Sequence, residues 1–514
     1  VYINRLRLYS VYQVRNKKSM EKHVLSKSTF MRGIKCPKSL YLNKHKRRLG
    51  IESDAYSAQA MAIFDQGTNV GELATQLFPG GVDCTPESYY DFQKAVEQTQ
   101  QEIENGATVI YEAAFQFEGV LAAVDILVKD EDGWKAYEVK SSTSVSDTYR
   151  MDGTLQYYVI TKSGIDLKDF SITYINNQYS RNGAINVHQL FVSESIMTDI
   201  NKRIAGLPNQ INLFKKILLQ DAIPEKEIGV HCNSPYGCDF AGHCWKNIPN
   251  YSVFNISGLH ETKKFELYNS GAITFDQIPK DFNLSDNKWM QIDCELENKI
   301  VIDKASIQHF LSELKYPLYY LDFETIGPAV PIFDNTRPYR QYVFQYSLHT
   351  QNTKGGEVIH KEYLAETDGT DPRRNFCKQL IEECGTSGDV LVYNIGFERG
   401  KLDDLCTVFP EYAKDLKDII SRLKDLATPF QKKWYYTPEM KGKYSIKNVL
   451  PALVPHLSYG DLEIQEGGTA SNVFAQMASG TFDGDIETTR KNLIDYCKLD
   501  TLAMVEILDV LYKL

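Results

Sequence analysis

The sequence of 514 residues is too long for one hydrophobic core, and domain sizes of about 100–200 residues predict two to four domains. Hydrophobic residues make up 43% of the chain and charged residues 24%, which is typical of a globular protein and excludes a disordered polymer. The formal net charge of −10 argues against a protein that coats nucleic acid through bulk charge. No apolar run approaches the roughly 20 residues that span a bilayer, so we expect a cytoplasmic protein without a membrane partner.

The charge is unevenly distributed along the chain. Residues 1–50 contain fourteen lysines and arginines and one acid, Glu21, so this segment carries +13 and the other 464 residues carry −23. Such a basic block is suited to phosphate contacts, and equally to a solvated tail. Because a helix-start pattern begins at Ser26, soon after Met20, residues 1–19 are a candidate extension upstream of the natural start.

Three regions of the chain differ in their pattern. Residues 20–250 pass from helical segments through a β-rich stretch, in which turn residues at 118–119 and 130–133 separate three predicted strands, to helices and a cysteine-rich segment. Residues 251–312 are mixed and polar, and we interpret them as a connector. Residues 313–514 alternate strands and helices to the C-terminus, and an α/β fold class is predicted.

Two acids in the last region lie on one predicted strand. Asp322 and Glu324 alternate in YYLDFET and therefore face the same side of the strand. Neighbouring carboxylates repel each other unless a cation neutralises them, which makes a divalent metal site a natural explanation, and a surface strand end with both acids solvated is equally compatible with this pair alone. Farther along, Asn394 and Glu398 follow a buried strand.

A late amphipathic helix completes an ordered set of motifs, because its Tyr496 and Asp500 are four residues apart and share a face. The motifs D-x-E, N-x-x-F-E and Y-x-x-x-D resemble those of DnaQ-like DEDDy 3′–5′ exonucleases, which have an RNase H-like fold. The resemblance implies that two Mg²⁺ or Mn²⁺ ions are held and that Tyr496 orients the attacking water. The implied metal ligands are Asp322, Glu324, Glu398 and Asp500.

This region departs from the exonuclease pattern at one position, since Glu398 stands where the family usually has Asp. Segments 337–349, 421–430 and 441–453 also resemble an uncharacterised bacterial domain family with the same core. A stretch within them interleaves lysines with aromatic residues, a mixture that suits single-stranded nucleic acid and equally a core edge beside exposed lysines. The candidate nucleic-acid-binding residues are Asn394, Trp434, Tyr435, Lys441 and Lys443.

The β-rich stretch of the first region carries a second acidic pattern. Asp125 ends one strand, and Glu138 and Lys140 alternate on the next, which brings two acids and a lysine together. With Glu72 upstream and Gln156 downstream, the order resembles PD-(D/E)XK nucleases of the RecB type, which have a restriction-endonuclease-like fold. The resemblance implies metal ligation by Glu72, Asp125 and Glu138, with Lys140 and Gln156 in catalytic roles. The usual first-motif His is missing, and Glu112 is another nearby candidate.

Three of the ten cysteines are evenly spaced in a turn-rich segment, at Cys232, Cys238 and Cys244; the scattered ones are interpreted as packing residues. In RecB-like nucleases with an iron–sulfur clasp, one cysteine precedes the core and three follow it, and Cys36 stands at the first position. The resemblance implies a 4Fe–4S cluster on these four thiols, with zinc as the alternative. The trailing C-x5-C-x5-C spacing departs from the usual C-x2-C-x5-C, and His231 or His243 is an alternative ligand.

Together these resemblances predict a fusion of two metal-dependent nucleases. The expected partner is nucleic acid, as single-stranded DNA or a 3′ end, with RNA not separated from DNA by the sequence. The competing hypothesis is a nucleic-acid-binding or scaffold protein in which one or both nuclease sites are degenerate.

Overall fold

The computed structural model describes residues 24–88 and 91–514. The candidate upstream extension, residues 1–19, lies outside these residues, as does the first part of the basic block. The chain forms two compact units and passes between them five times. The first unit contains the described residues up to Tyr56 with Ile63–Tyr179 and Ala184–Cys244, and the second contains Ser57–Ala62, Ser180–Gly183 and Trp245–Leu514.

The first unit is built around a mixed sheet. Its strands are β1 (Leu25–Ser26), β2 (Val82–Asp83), β3 (Val109–Phe117), β4 (Val120–Lys129), β5 (Trp134–Lys140), β6 (Leu167–Ile175) and β7 (Phe191–Ser195). The helices up to Cys244 are α1 (Lys27–Lys35), α2 (Pro37–Leu49), α3 (Ala58–Ala74), α4 (Phe92–Glu104), α5 (Asp147–Lys162), α6 (Val187–Leu190), α7 (Met197–Arg203), α8 (Leu207–Leu218) and α9 (Ala241–Cys244).

The three predicted strands of this unit are confirmed as β3, β4 and β5, which pair antiparallel. The sheet order is β2-β3-β4-β5-β6-β7, and β1 pairs with β4. Gly119 and Gly133 have positive φ angles of 72° and 136° in the two turns, a conformation that favours glycine. Helix α5 connects β5 to the parallel strand β6 and packs on β3, β4 and β6. The expectation that Asp125 ends a strand is wrong, because β4 continues past it to Lys129.

The predicted helix start at Ser26 is also confirmed. The Ser26 hydroxyl accepts a hydrogen bond from the Thr29 backbone N–H, and the Thr29 hydroxyl accepts one from the Ser26 N–H. This reciprocal cap satisfies N–H groups that a helix leaves unpaired at its start. It fixes where α1 begins, and therefore which residues of α1 reach the sheet.

The second unit contains a five-stranded sheet of order β11-β10-β9-β12-β13 and a two-stranded sheet of β8 and β14. The strands are β8 (Val301–Ile302), β9 (Leu318–Ile326), β10 (Tyr342–Gln351), β11 (Val358–Leu364), β12 (Asp389–Val392), β13 (Leu423–Asp425) and β14 (Tyr435–Tyr436). The helices are α10 (Glu261–Asn269), α11 (Asp286–Glu297), α12 (Lys304–Ser312), α13 (Arg373–Cys384), α14 (Ile395–Val408), α15 (Ala413–Ser421), α16 (Thr428–Gln431), α17 (Ile446–Leu453), α18 (Gly467–Ser479) and α19 (Ile486–Tyr512).

Strand β9 lies at the centre of the five-stranded sheet, antiparallel to β10 and parallel to β12. Its side chains alternate between two apolar cores, with Tyr320 in one and Leu321 and Phe323 in the other. Helices α18 and α19 pack on this strand. The predicted α/β class is therefore confirmed at the level of mixed helices and sheets.

The predicted connector, residues 251–312, is a folded part of the second unit. It forms α10, α11, β8 and α12, and it contains its own apolar cluster, which includes Val253, Leu267 and Ile292. The segment Ser180–Gly183 also belongs to this unit, since the Arg181 N–H donates to the Thr336 carbonyl at 3.1 Å. Within residues 24–88 and 91–514, no helix has both the length and the apolar character that a bilayer crossing requires.

Candidate functional site

Three carboxylates of the second unit meet beside the central strand. Asp322 and Glu324 lie on β9, and Asp500 lies on α19. One oxygen of each lies within 4.8 Å of the others, a spacing at which the three can share a metal ion. The alternation along β9 and the packing of α19 on that strand bring the acids together, as the sequence pattern predicts.

Glu398 is a fourth acid near this group, although it is not one of the three whose oxygens lie within 4.8 Å of one another. It lies in the first turn of α14, is 2% exposed, and contributes to the electrostatic field at Asp322. Its Oε2 atom is buried and has no hydrogen-bond partner. A buried carboxylate oxygen without a partner is energetically unfavourable, so this atom indicates a place for a ligand that carries positive charge.

Asn394 holds the turn that starts α14. Its φ angle of 79° is in the left-handed region, which asparagine tolerates better than most residues. The Asp425 carboxylate accepts from the backbone N–H groups of Asn394 and Ile395 at 3.0 and 3.2 Å. The structure thus gives Asn394 a backbone role in orienting the helix that carries Glu398.

The pKa values of these acids are displaced upwards. Burial, followed by the charge of Asp500, raises the pKa of Glu324 to about 8, and burial raises the pKa of Glu398 to about 8. Burial and then Asp500, Glu324 and Glu398 raise the pKa of Asp322 well above its ordinary value. In the described part of the chain, none of the four carboxylates forms an ion pair with a lysine, arginine or histidine. Their charge is therefore uncompensated.

Two neutral tyrosine side chains form hydrogen bonds with the Asp500 carboxylate. The Tyr459 hydroxyl donates to Asp500 Oδ1 at 2.6 Å, and Tyr496, one helical turn before Asp500, also hydrogen-bonds to it. Burial raises the pKa of Asp500 to about 6, while these two donors oppose the shift. Cys497, interpreted from sequence as a packing residue, also contacts the site, since its sulfur is 3.8 Å from Asp322 Oδ2.

The first unit contains a second cluster, in which lysines accompany the acids. Lys140 Nζ lies 2.6 Å from Glu138 Oε1 and 3.1 Å from Asp152 Oδ2. Lys27, on α1, approaches the same Glu138 oxygen at 2.7 Å. Burial alone would raise the pKa of Glu138, but Lys140 and Lys27 outweigh it and hold that pKa at about 2. Asp125 accepts a hydrogen bond from the Val139 N–H, and burial raises its pKa to about 8.

Glu112 is a fourth acid of this cluster, beside Glu138, Asp152 and Asp125. The charges that act most strongly on Asp125 are those of Glu138, Lys27, Glu112 and Lys140, whereas Glu72 is exposed on α3. In the antiparallel register Tyr111 pairs with Ile126 and Ala113 with Val124, so Glu112 stands opposite Asp125. Its φ angle of 51° is unusual for a strand residue, and such outliers are enriched at functional sites.

Gln156, the predicted downstream glutamine, lies beneath this cluster on α5. It is fully buried, and its amide donates to Asp152 Oδ1 at 3.3 Å. The Gln156 Oε1 and Glu138 Oε2 atoms are both buried without a hydrogen-bond partner. The sequence-predicted residues Asp125, Glu138, Lys140 and Gln156 are therefore brought together, with Lys27, Glu112 and Asp152 as additions.

The four predicted cluster thiols of the first unit converge on one cavity, which is lined by Cys36, Cys232, Cys238 and Cys244. Cys36 precedes α2, and its sulfur accepts from the backbone N–H groups of Ser39 and Lys38. Burial raises the pKa of Cys36 and of Cys244, and the neighbouring thiols add to the shift in both. His231 also lines the cavity, so it stands close enough to remain an alternative ligand.

Charged contacts fasten the cysteine-rich segment to the N-terminal helices. Arg32 forms an ion pair with Asp239, and its Nη2 donates to Asp239 Oδ2 at 3.0 Å. The Gly242 N–H donates to Asp54 Oδ2 at 2.9 Å. The two ends of the first unit are thus joined at the thiol cavity.

The predicted nucleic-acid-binding aromatics are integrated into the fold. Trp434 and Tyr435 are partly buried against the apolar core of the second unit, and Tyr435 pairs with Ile302 across the two-stranded sheet. Lys441 and Lys443 are exposed. The geometry leaves the two lysines available for phosphate contacts and gives the two aromatics a packing role.

Sequence reasoning missed several residues at these sites, because their positions depend on contacts distant in the sequence. Lys27 and Tyr459 carry no motif, and they lie 111 and 41 residues from their carboxylate partners. Glu112, by contrast, was named from the sequence as a nearby candidate for the metal site, and the structure places it opposite Asp125.

The chain is similar to proteins that carry no functional description. Residues 319–445 match a family described as "Domain of unknown function (DUF2779)". "Uncharacterized protein UU173" of Ureaplasma parvum is 29% identical over 280 residues, covering 50% of this chain and 40% of that protein. "Uncharacterized protein MG366 homolog" of Mycoplasma pneumoniae is 29% identical over 212 residues, covering 38% of this chain and 32% of that protein. The chain thus spans less than half the length of these curated relatives, and the family match includes Asp322, Glu324 and Glu398 but ends before Asp500.

Proposed function

We propose that the protein is a metal-dependent nuclease whose second unit, an RNase H-like domain, removes nucleotides from the 3′ end of single-stranded DNA. The observation that carries the proposal is the uncompensated cluster of buried acids, in which three carboxylates share a 4.8 Å space and Glu398 Oε2 has no partner. Such a cluster needs a cation to be stable in its charged form. The order of its motifs adds support from the sequence.

The donor set fits divalent cations that prefer oxygen ligands. Asp322, Glu324, Glu398 and Asp500 would hold Mg²⁺ or Mn²⁺, which activates water and neutralises charge on a phosphodiester. Tyr459 and Tyr496 hold the Asp500 carboxylate in place through their hydroxyls. Tyr496 also lies near Gly467, where a Cβ atom would be 3.8 Å from its hydroxyl and 3.5 Å from Glu324 Oε2.

For the first unit we propose a RecB-like fold that binds nucleic acid, with weak or no cleavage of its own. Glu138 is already neutralised by Lys27 and Lys140, which lowers its demand for a metal ion. Asp125 and Glu112 retain carboxylates opposite each other, so a site of lower metal affinity is compatible with the geometry. This assignment follows the competing hypothesis of a degenerate nuclease site.

The thiol cavity is proposed to hold a 4Fe–4S cluster. Among residues 24–88 and 91–514, no three of the sulfurs lie within 4.8 Å of one another. Four sulfurs around zinc, each about 2.3 Å from the metal, would lie only about 3.8 Å apart. The sulfur atoms are farther apart than zinc ligands would be, and this favours the larger 4Fe–4S cluster. Anaerobic purification should give a brown protein with stoichiometric iron and sulfide, and Cys36→Ser should lose both while Cys406→Ser keeps them; bound zinc without iron would overturn this assignment.

The nuclease proposal is tested by degradation of oligonucleotides labelled at the 5′ or the 3′ end. Single-stranded DNA and RNA are incubated with Mg²⁺, Mn²⁺ or EDTA and the wild type, Asp322→Asn, Lys140→Met or Asp483→Asn. We expect stepwise loss from the 3′ end that requires metal, disappears in Asp322→Asn and persists in Lys140→Met. Asp483→Asn is the matched control, because Asp483 is exposed and lies outside the cluster.

Each outcome of this test decides between named alternatives. Cleavage that depends on Lys140 and not on Asp322 would move the activity to the first unit. Binding of either polymer without metal-dependent cleavage would replace the enzyme proposal by the scaffold hypothesis. The DNA and RNA arms decide which polymer is the substrate.

A further inference from the structure

A lysine stands beside the acid cluster of the second unit without a carboxylate partner. Lys447 lies in the first turn of α17, and its Nζ donates to the Gln465 carbonyl at 2.6 Å. The same Nζ lies 5.3 Å from the centre of the Tyr459 ring and 5.1 Å from the centre of the Tyr496 ring. Two aromatic faces and a carbonyl therefore hold the ammonium group in a defined place.

The charge of Lys447 acts on the carboxylates of the cluster, but it is not neutralised by an ion pair with any of them. It is the cation that opposes the rise in pKa of both Glu324 and Asp500. Across the described residues, however, its ammonium group forms no ion pair with any carboxylate. Lys447 is half-buried, and its ammonium group contacts a carbonyl and two ring faces, none of which carries a negative charge. Its positive charge is therefore available to an anionic ligand.

The chain segment whose Gln465 carbonyl accepts from Lys447 leads into α18, and the start of this helix is a second source of positive potential. Two residues after Gln465, α18 begins at Gly467, and a side-chain carbon placed there would lie 3.5 Å from Glu324 Oε2. The first backbone hydrogen bonds of this helix come from Thr469 and Ala470, both to the Glu466 carbonyl. The N–H groups of Gly467 and Gly468 precede them, and N–H groups at this position have no partner within a helix.

We propose that Lys447 binds the phosphate group that is cleaved, by contacting a non-bridging oxygen, with the N–H groups that start α18 beside it. This inference rests on the proposed exonuclease function and deepens it. It assigns to Lys447 a catalytic role that no motif indicated, and it names the ligand class as a nucleotide with a 5′-phosphate. The positive charge of Lys447 next to the acid cluster would offset the repulsion between the carboxylates and an anionic substrate.

The reaction at this phosphate is a hydrolysis. Water attacks phosphorus, and the bond between phosphorus and the O3′ atom of the preceding nucleotide breaks. The electron pair goes to that O3′ atom, which is protonated as the new end of the strand. The water oxygen stays on phosphorus, so the released product is a nucleoside 5′-monophosphate. Lys447 offsets negative charge on the phosphate as the attack proceeds.

The experiment measures how much the phosphate contributes to product affinity. Calorimetric titration of the full chain with thymidine 5′-monophosphate and with thymidine, both in Mn²⁺, gives the ratio of the two dissociation constants. We expect Lys447→Met to reduce this ratio about tenfold or more, and Lys447→Arg to retain most of it. Lys491→Met is the matched control, since Lys491 is exposed on α19 and lies outside the site.

Cleavage assays of the same variants separate this inference from the proposal on which it rests. If Asp322→Asn abolishes cleavage and Lys447→Met leaves both cleavage and the ratio unchanged, the role of Lys447 is refuted and the exonuclease stands. If the wild type binds the monophosphate selectively through Lys447 but cleaves nothing, the phosphate site stands and the exonuclease fails. Should Lys447→Met unfold, Lys447→Gln and Lys447→Arg supply the same comparison, and equal ratios in these two variants would also refute the role.

Discussion

The two acidic clusters of this protein balance their negative charge in opposite ways. In the first unit Glu138 accepts from Lys27 and Lys140 at 2.7 and 2.6 Å, and its pKa is held at about 2. In the second unit burial raises the pKa of Glu324 and of Glu398 to about 8, and no ion pair compensates either carboxylate within the described residues. In one cluster lysines of the same chain neutralise the carboxylate, whereas in the other the carboxylates have no ion-pair partner and hold their protons up to about pH 8.

If the second cluster binds a metal ion as proposed, charge compensation distinguishes the two clusters better than the number of acids does. Both clusters contain buried carboxylates with an unpartnered oxygen, at Glu138 and at Glu398. A lysine that already pairs with a carboxylate competes with a metal ion for it, and removing one member of a buried pair is destabilising. The same chemical change at the two positions should therefore have opposite effects on stability.

The largest effect is expected from Glu398→Gln in the uncompensated cluster. Loss of this carboxylate should lower 3′ cleavage by at least about a hundredfold, because it removes a metal ligand. The metal-free protein should already gain stability at pH 7, and gain more at pH 8, because the folded wild type keeps a proton on Glu398 that the unfolded chain releases near pH 4.5. Cleavage rates and urea unfolding measure the two quantities. Cleavage at the wild-type rate would remove Glu398 from the site, while Glu398→Asp tests whether side-chain length matters.

The same substitution in the compensated cluster, Glu138→Gln, should destabilise the protein by about 3 kcal/mol, because two lysines lose their shared counter-charge. Urea unfolding at pH 7 measures the change. Glu131→Gln is the control, since Glu131 lies exposed in the turn before β5. A loss in Glu138→Gln that does not exceed that of the control would show that the lysines were not acting as counter-charges.

The pH dependence of stability should separate the clusters further. Because the folded protein holds protons on Glu324 and Glu398 up to about pH 8, which the unfolded chain releases near pH 4.5, metal-free stability falls as pH rises through this window. The low pKa of Glu138 acts in the other direction, and its contribution is present above pH 4.5 and lost as pH falls towards 2.

The expected size of the first effect is about 1 to 3 kcal/mol between pH 6 and 8, measured as the difference between wild type and Glu398→Gln. Mn²⁺ should reverse it, because metal binding displaces the protons. Thermal unfolding with and without Mn²⁺ at each pH gives both values. A gain from Mn²⁺ that is the same at pH 6 and pH 8 would contradict proton displacement.

The smallest effect is expected from Tyr459→Phe. This change removes a neutral donor 2.6 Å from Asp500 Oδ1 and should slow cleavage about fivefold, close to the net value of one hydrogen bond. Tyr268→Phe, on α10, serves as the control. A loss of a hundredfold or more would mean that Tyr459 acts on the substrate itself and not only on Asp500.

The sequence predicts the parts of each site that depend on local periodicity. Alternation along a strand predicts that Asp322 and Glu324 share a face, and helical spacing predicts the same for Tyr496 and Asp500. The identity of the strand beside α19 requires the sheet order, which local patterns do not contain. The resemblance to exonucleases supplied the grouping of these acids, and the positions of β9 and α19 agree with it.

The residues that escaped sequence reasoning owe their positions to packing and backbone geometry. Lys27 reaches Glu138 because α1 is capped at Ser26 and lies beside the sheet, a contact across 111 residues of chain. Glu112 was a candidate from the sequence, but its position opposite Asp125 coincides with a positive φ angle in β3, which no propensity predicts for glutamate. Residues 251–312 were interpreted as a connector because of their polar composition, and that composition gave no sign of the small apolar cluster that they form.

The repeated passage of the chain between the two units has a consequence for how they are made and dissected. Arg181 belongs to the second unit, where its guanidinium donates to the Pro331 carbonyl at 3.0 Å, yet it is synthesised well before the last segment of that unit begins at Trp245. No single cleavage of the chain releases either unit with all of its parts. A fragment that starts at Trp245 would lack Ser57–Ala62 and Ser180–Gly183. During synthesis these two segments leave the ribosome with the first unit, before the rest of the second unit has been made. The two units are therefore linked during synthesis, although a linear domain map would treat them as independent.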